Sequence, residues 1–263
     1  MQNSRKISRL FRNATAVILS FFDNLSLDSI YFSYNFQGYK IKERKMNSTL
    51  VIYVHGKGGN AGEAEHYKKL FEDCDVAGFE YASVTPWDFK DEFLNWAKEK
   101  FGGYGKVILV ANSIGAYFLM NAISQTNAET GGKQKEITAK IIKAFFISPI
   151  VDMEKLICNM MDWAGVTEAQ LEEKKMVSTD FGDDLSWEYL TYVHKNPIKW
   201  KIPTEILYGE HDTLTSLETV SDFAHTHKSK LTVMSGGEHW FHTEEQMKFL
   251  DKWIEAALKR TVL

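Results

Sequence analysis

The sequence predicts an α/β protein built on one doubly wound, mostly parallel sheet. Apolar, strand-like runs alternate with helical segments from residue 49 to the end of the chain, which is the order of elements in a parallel sheet. The first of these runs, residues 50–54, is continuously apolar and rich in β-branched side chains, as expected of a strand covered on both faces.

The other elements follow in a regular order. Short apolar runs predict further strands at residues 78–85, 106–111, 141–147, 204–208 and 231–234. Helices are predicted at residues 62–73, 88–101, 114–124, 214–225 and 244–258. The last helix is strongly amphipathic, with Leu250, Trp253, Ile254 and Ala257 in its apolar set. Residues 126–136 are polar and contain glycine, which predicts a surface loop.

Length and composition fit such a fold. The chain has 263 residues, 44% of them hydrophobic and 25% charged, with a net charge of −4. A chain this long can bury a large core without disulfides or metal ions. The weakly acidic balance argues against a dedicated nucleic-acid binder, which needs a concentrated basic face. Cys74 and Cys158 lie outside any CxxC or Cys/His cluster, so we expect no disulfide, no metal site and a cytoplasmic location.

The alternation of strands and helices stops between residues 150 and 200. Helical segments at 153–164 and 168–177 are followed there by an aromatic stretch. This predicts a helical cap inserted after the strand that ends near Pro149, with residues 29–149 and 201–263 forming the core. Three cap residues are candidates to line an apolar substrate pocket, namely Met160, Met161 and Trp163. Packing of the cap onto the sheet is the alternative role for them.

The N-terminal part carries two other signals. Aromatic and alternating residues at 29–45 predict a pair of antiparallel edge strands. Within residues 1–28, basic residues precede the apolar stretch 14–22, which is too short to span a bilayer. We expect a basic amphipathic helix that packs on the domain or contacts a membrane surface. A signal peptide for export is the alternative, although no small-x-small cleavage site follows before Asp23.

The strongest functional signal is the turn Ala111-Asn112-Ser113-Ile114-Gly115. A buried strand runs into it and an apolar helix follows, with Ser113 at the apex. Small residues stand two before and two after the serine, where backbone approaches closely in a sharp turn. The pattern resembles the nucleophile elbow G-x-S-x-G of the α/β-hydrolase superfamily, with Ala111 in place of the first glycine. A serine that only caps the following helix is the alternative.

A glycine-rich loop, His55-Gly56-Lys57-Gly58-Gly59, follows the first buried strand. It resembles the HG-x-G loop of the same superfamily, which supplies one backbone N–H to an oxyanion hole. The resemblance implies the N–H groups of Lys57 and Ile114 as the two donors, and a bracing role for His55. A phosphate-binding loop is the competing interpretation, but its spacing G-x-x-x-x-G-K-[ST] is absent. The Lys57 side chain either favours anionic substrates or is simply solvated.

Two further turns carry the residue types that a serine nucleophile needs. Asp212 lies beyond the strand at 204–208 in a G-x-x-D turn, where the resemblance implies the triad acid. Glu210 is the rival acid, and helix capping is the plainer role for Asp212. His239 lies between the last strand and the last helix, where the superfamily has its general base, and His242 competes for that role.

Ser113, Asp212 and His239 occur in the order nucleophile, acid, base that is typical of α/β-hydrolases. The resemblance covers about residues 49–260. It implies hydrolysis of a small-molecule carboxylic ester through an acyl-serine intermediate, with no metal ion or organic cofactor. A peptidase, thioesterase or acyltransferase on the same triad is an alternative, and so is a receptor that binds a ligand without catalysis.

Overall fold

A parallel sheet with helices on both faces forms the fold. The computed structural model describes residues 48–124 and 133–260. The strands of the sheet are β1 (Thr49–Val54), β2 (Asp75–Phe79), β3 (Lys106–Asn112), β4 (Ile141–Ile147), β7 (Thr204–Gly209) and β8 (Lys230–Met234). Within the described residues these six strands pair in parallel, in the order β2-β1-β3-β4-β7-β8. The predicted α/β class and parallel sheet are confirmed.

Helices connect the strands. They are α1 (Pro86–Lys100), α2 (Ile114–Ser124), α3 (Lys133–Ala139), α4 (Met153–Ala164), α5 (Glu168–Lys174), α6 (Trp187–Lys195), α7 (Leu217–Thr226) and α8 (Glu244–Arg260). Side-chain caps fix where several of them begin. Thr85, Asp152 and Ser216 each accept the backbone N–H three residues later, at the starts of α1, α4 and α7.

Strand β1 shows how the sheet buries both of its faces. Leu50, Ile52 and Val54 pack into one core layer with α1 and α2, whereas Val51 and Tyr53 pack into the other layer with α8. All five side chains are at most 2% exposed. Because alternate strand residues point to opposite faces, this continuous apolar run requires cover on both sides, which the doubly wound arrangement supplies.

Some predicted bounds are wrong. The strand predicted at 78–85 is Asp75–Phe79, because the chain leaves the sheet after Phe79 and the Glu80 carboxylate instead accepts the N–H of Ala61 (2.8 Å). The helix predicted at 62–73 is a 3-10 helix, Ala61–Lys69. Residues 133–136 of the predicted loop belong to α3, and the helix predicted at 168–177 ends at Lys174.

Between β4 and β7 the chain forms α4, α5, a two-stranded antiparallel pair and α6. The pair consists of β5 (Met176–Val177) and β6 (Leu185–Ser186), and α4 contacts both β6 and α6. We call residues 150–200 the insertion; that it caps the site stays a prediction. The predicted N-terminal segment 1–28 and edge strands 29–45 lie outside the described residues. Over residues 48–124 and 133–260, no helix has both the length and the apolarity needed to cross a membrane.

Candidate active site

Ser113 is the single residue between β3 and α2. Its φ of 52° lies in the left-handed region, which non-glycine residues rarely adopt and which costs free energy. Hydrogen bonds on both sides hold it there. Its N–H donates to the carbonyl of Ile147 (3.0 Å), and its own carbonyl accepts the N–H groups of Ala116 and Ile150 (both 3.1 Å). The neighbouring strand β4 therefore helps to maintain the strained turn.

The small residues around Ser113 are sterically required. A Cβ on Gly115 would overlap the carbonyl oxygen of His55, so the loop after β1 lies directly against the start of α2. Ala111, on the other side of the serine, is fully buried. A Cβ built on Gly56 would lie 3.0 Å from Cβ of Ser113 and 3.7 Å from its Oγ. The glycine-rich loop and the serine are thus immediate neighbours.

Ser113, His239 and Asp212 are joined by hydrogen bonds. Oγ of Ser113 lies 2.8 Å from Nε2 of His239, and Nδ1 of His239 lies 2.7 Å from Oδ2 of Asp212. An ionised carboxylate can only accept a hydrogen bond, so Nδ1 carries a proton and donates a hydrogen bond to Asp212. Nε2 is then the acceptor for the Ser113 hydroxyl, which is the arrangement that a general base needs.

The Asp212 carboxylate uses both of its oxygens. Oδ2 accepts from His239, while Oδ1 accepts the N–H groups of Leu214 (2.9 Å) and Thr215 (3.2 Å). Its side chain is fully buried. Asp212 therefore fixes its own turn and contacts the histidine at once, whereas the helix-capping role falls to Ser216.

The turns that carry Asp212 and His239 touch through their backbones. A Cβ on Gly209 would overlap the carbonyl of Glu238, and the N–H of His211 donates to the carbonyl of Gly237 (2.7 Å). Only glycine at position 209 permits this approach. The contact brings the ends of β7 and β8 close enough for the acid and the histidine to meet.

The two rivals from the sequence lie elsewhere. Glu210 is exposed and accepts from the N–H of Gly236 and the hydroxyl of Ser235 (both 2.8 Å), and these hydrogen bonds hold the pKa of Glu210 below its ordinary value. His242 is exposed and donates from Nδ1 to the carbonyl of Trp240 (2.7 Å). Neither side chain is hydrogen-bonded to Ser113 or His239 within the described part of the chain.

The loop of residues 55–59 is shaped by its own contacts. The N–H of Gly59 donates to the carbonyl of Gly56 (3.1 Å), and Nδ1 of His55 donates to the same carbonyl (2.8 Å). The His55 ring stacks on Tyr81 at 4.2 Å, and the Tyr81 hydroxyl donates to the His55 carbonyl (2.8 Å). Over the described residues, the N–H groups of Lys57 and Ile114 donate to no backbone carbonyl.

Sequence patterns assign no role to Tyr53, Glu63 or Asn112, which lie between this loop and the serine turn. The buried Tyr53 hydroxyl donates to Glu63. The side chain of Asn112, next to Ser113, acts on the same hydroxyl and lowers its pKa, though by less than burial raises it. Oε1 of Glu63 accepts the N–H of Asn60 (3.1 Å). Burial, with smaller contributions from Tyr67 and Glu63, holds the pKa of Tyr53 well above its ordinary value. The capping-box spacing of Asn60 and Glu63 was a signal available in the sequence.

The predicted pocket residues of the insertion have different environments. Met161 is buried in the core at 6% exposure, and Met160 is half-buried against the same core. Trp163 is 55% exposed and packs against Phe181. The Lys57 side chain is 66% exposed, and its ammonium forms an ion pair with Asp183 of the insertion.

No protein-family model matches the sequence, and no curated protein matches it. Many solved structures match the fold. Est1E from Butyrivibrio proteoclasticus is 16% identical over 82% of this chain and 88% of its own, with a TM-score of 0.60. A thermophilic esterase from the Planctomycetes species Thermogutta terrifontis is 15% identical over 83% and 82%, with a TM-score of 0.56. An esterase from Pyrobaculum calidifontis is 14% identical over 81% and 76%, with a TM-score of 0.55.

Proposed function

We propose that this chain, which has the α/β-hydrolase fold, is a serine hydrolase that cleaves carboxylic esters through an acyl-serine intermediate. One observation carries the proposal: Oγ of Ser113 lies 2.8 Å from Nε2 of His239, whose Nδ1 lies 2.7 Å from the buried Asp212 carboxylate. Solved structures of the same fold that are described as esterases support the choice of ester over other acyl compounds.

In the first step Ser113 attacks the ester carbonyl. Its hydroxyl proton passes to Nε2 of His239 as Oγ bonds to the carbonyl carbon, and the carbonyl π electrons move onto the oxygen. Asp212 keeps the proton on Nδ1, so that Nε2 is free to accept, and it stabilises the imidazolium that forms. A serine hydroxyl is a weak nucleophile near neutral pH. Transfer of its proton to His239 makes Oγ of Ser113 reactive enough to attack.

The negative oxygen that develops in this step needs donors. The N–H groups of Lys57 and Ile114 are our candidates, because Ile114 follows Ser113 and Lys57 follows Gly56, which lies against Ser113. Neither N–H donates to a backbone carbonyl over the described residues. Ile114 is also the first residue of α2, where the helix dipole favours negative charge. Loss of one oxyanion donor typically costs about 10²–10³ in rate.

The intermediate then collapses. His239 gives its Nε2 proton to the alkoxide oxygen, the C–O bond breaks, and the alcohol leaves while the acyl group stays on Ser113. In the second half, a water molecule gives a proton to Nε2 and its oxygen attacks the acyl carbon. The proton returns to Oγ of Ser113 as the carboxylic acid departs, which restores the starting state.

Ester turnover by matched serine variants tests the proposal. We expect the wild type to hydrolyse p-nitrophenyl acetate and Ser113→Ala to lose nearly all of that activity, since the nucleophile is gone. Ser235→Ala is the control, because Ser235 lies at the same sheet edge but bonds to Glu210 rather than to His239. Undiminished turnover by a folded Ser113→Ala variant contradicts the proposal.

A further inference from the structure

The insertion exposes a pair of aromatic side chains. Trp163, in the last turn of α4, is 55% exposed, and Phe181, in the loop between β5 and β6, is 43% exposed. Their ring centroids lie 6.1 Å apart and the rings are almost perpendicular, at 88°. Two aromatic rings in contact with each other and with water offer a surface that an apolar group can cover.

An ion pair links this aromatic pair to the loop beside the serine. Asp183, two residues after Phe181, pairs with the Lys57 ammonium. Lys57 directly follows Gly56, which lies against Ser113. The hydroxyl of Thr179 donates to the Asp183 carbonyl (2.6 Å) and closes the same insertion loop. The aromatic pair is thus joined to the reacting serine by a short series of contacts through one lysine side chain.

The charge of this loop limits what can bind there. Residues 176–186 include Asp180, Asp183 and Asp184 and no lysine or arginine. The Lys57 ammonium, which faces this loop, already pairs with Asp183. An anionic substrate therefore meets the carboxylates of Asp180 and Asp184, whereas an uncharged apolar group meets the two aromatic rings.

We propose that Trp163 and Phe181 form a subsite for an uncharged aromatic group of the ester, beyond the carbonyl that Ser113 attacks. This inference rests on the proposed function and names a substrate class for the same site. Aromatic contacts contribute binding free energy beyond the burial of apolar area, so loss of one ring should lower kcat/KM for an aromatic ester by about tenfold.

Three esters test the subsite, and none carries a p-nitrophenyl group, because that group is itself aromatic. Ethyl acetate is the reference, ethyl 3-phenylpropanoate carries the ring on the acyl side, and 2-phenylethyl acetate carries it on the alcohol side. We expect Trp163→Ala and Phe181→Ala each to lower kcat/KM about tenfold for one of the aromatic esters, mainly through KM, and to leave ethyl acetate unchanged. The ester that responds identifies the side that the subsite binds.

Met176→Ala is the matched control. Met176 is also 55% exposed and belongs to the same insertion, but its substitution removes no ring and should change none of the three rates. Trp163→Phe keeps an aromatic ring and should retain most of the wild-type kcat/KM for the aromatic ester. An aromatic-to-ethyl-acetate ratio unchanged in both alanine variants overturns the subsite, even if Ser113-dependent turnover is normal.

Binding to an inactive variant tests the subsite independently of ester hydrolysis. Saturation-transfer titrations on Ser113→Ala should detect binding of ethyl 3-phenylpropanoate or 2-phenylethyl acetate, with a Kd about tenfold higher in Ser113→Ala/Trp163→Ala. Absence of Ser113-dependent hydrolysis of all three esters contradicts the proposed function. Equal binding by the single and the double variant contradicts the subsite, so the two failures are distinguishable.

Discussion

Around Ser113 the chain is held mainly by its backbone, whereas the insertion contacts the loop beside Ser113 through an ion pair of exposed side chains. Close approaches at Gly115 and Gly209 fix the geometry at the sheet edge. Asp183 of the insertion forms an ion pair with Lys57 of the loop at residues 55–59, and the two side chains are 50% and 66% exposed. Exposed pairs contribute about 0–1 kcal/mol. We therefore expect changes at the sheet edge to abolish activity and changes in the insertion to shift selectivity.

The largest expected effect separates the two acids at the sheet edge. Asp212→Asn should lower kcat by about 10⁴, because the amide no longer holds His239 in the tautomer that accepts the serine proton. Glu210→Gln should leave kcat nearly unchanged, since Glu210 bonds to Ser235 and Gly236 instead. Steady-state kinetics on p-nitrophenyl acetate measures both, and the reverse ranking would make Glu210 the acid.

Steric necessity at the sheet edge is tested by a pair of glycine variants. Gly115→Ala places a methyl group on the carbonyl oxygen of His55, so we expect the free energy of unfolding to fall by about 1–3 kcal/mol and activity to be lost. Gly102→Ala is the control, because a Cβ there meets nothing within 4 Å. Urea unfolding measures the difference, and equal stabilities of the two variants would refute the close approach.

A smaller effect is expected at Tyr53, whose side chain lies between the glycine-rich loop and the serine turn. Tyr53→Phe removes the buried hydroxyl that donates to Glu63, whose other carboxylate oxygen accepts the N–H of Asn60 beside the glycine-rich loop. We expect kcat to fall at least about tenfold with KM little changed, because the oxyanion donors shift and substrate contacts do not.

Tyr67→Phe is the control for this variant. Tyr67 stacks on Tyr53 at 5.0 Å, yet its hydroxyl bonds to neither Glu63 nor Asn112 among the described residues. Its loss should leave kcat unchanged. A similar fall in both variants, or a change in KM alone, would mean that Tyr53 serves packing only.

The smallest expected effect concerns the charge of the insertion. The double variant Asp180→Asn/Asp184→Asn should raise kcat/KM for monoethyl succinate by about two- to threefold at low ionic strength, because exposed charges act weakly and are screened. Ethyl acetate should not respond. Glu72→Gln/Asp73→Asn removes two charges at the opposite edge of the sheet and is the control. An equal rise in kcat/KM in the control variant would mean that the effect comes from the net charge of the protein and not from the insertion.

Prediction from the sequence succeeded where a pattern has a steric or periodic cause. The apolar run of β1 indicated a strand buried on both faces, and the small residues around Ser113 indicated a tight turn. The meeting of Ser113, Asp212 and His239 followed from all three lying at the ends of parallel strands.

The features that were missed depend on contacts between distant residues. Tyr53 resembles any other apolar position of β1, and only the folded chain brings Glu63 and Asn112 to its hydroxyl. The pairing of Lys57 with Asp183 spans 126 positions and has no local signal. Strand β2 was misplaced because its residues, Asp75–Phe79, lack a β-branched run and obtain their pairing from β1.

Mapping of a fluorophosphonate adduct tests the central claim most directly. The probe reacts with an activated serine, and mass spectrometry of proteolytic fragments identifies the residue that carries it. The account predicts one adduct, on Ser113, that forms in the wild type and is absent from Ser113→Ala and strongly slowed in His239→Ala. An adduct on another residue, or no adduct on a folded wild-type protein, would contradict it.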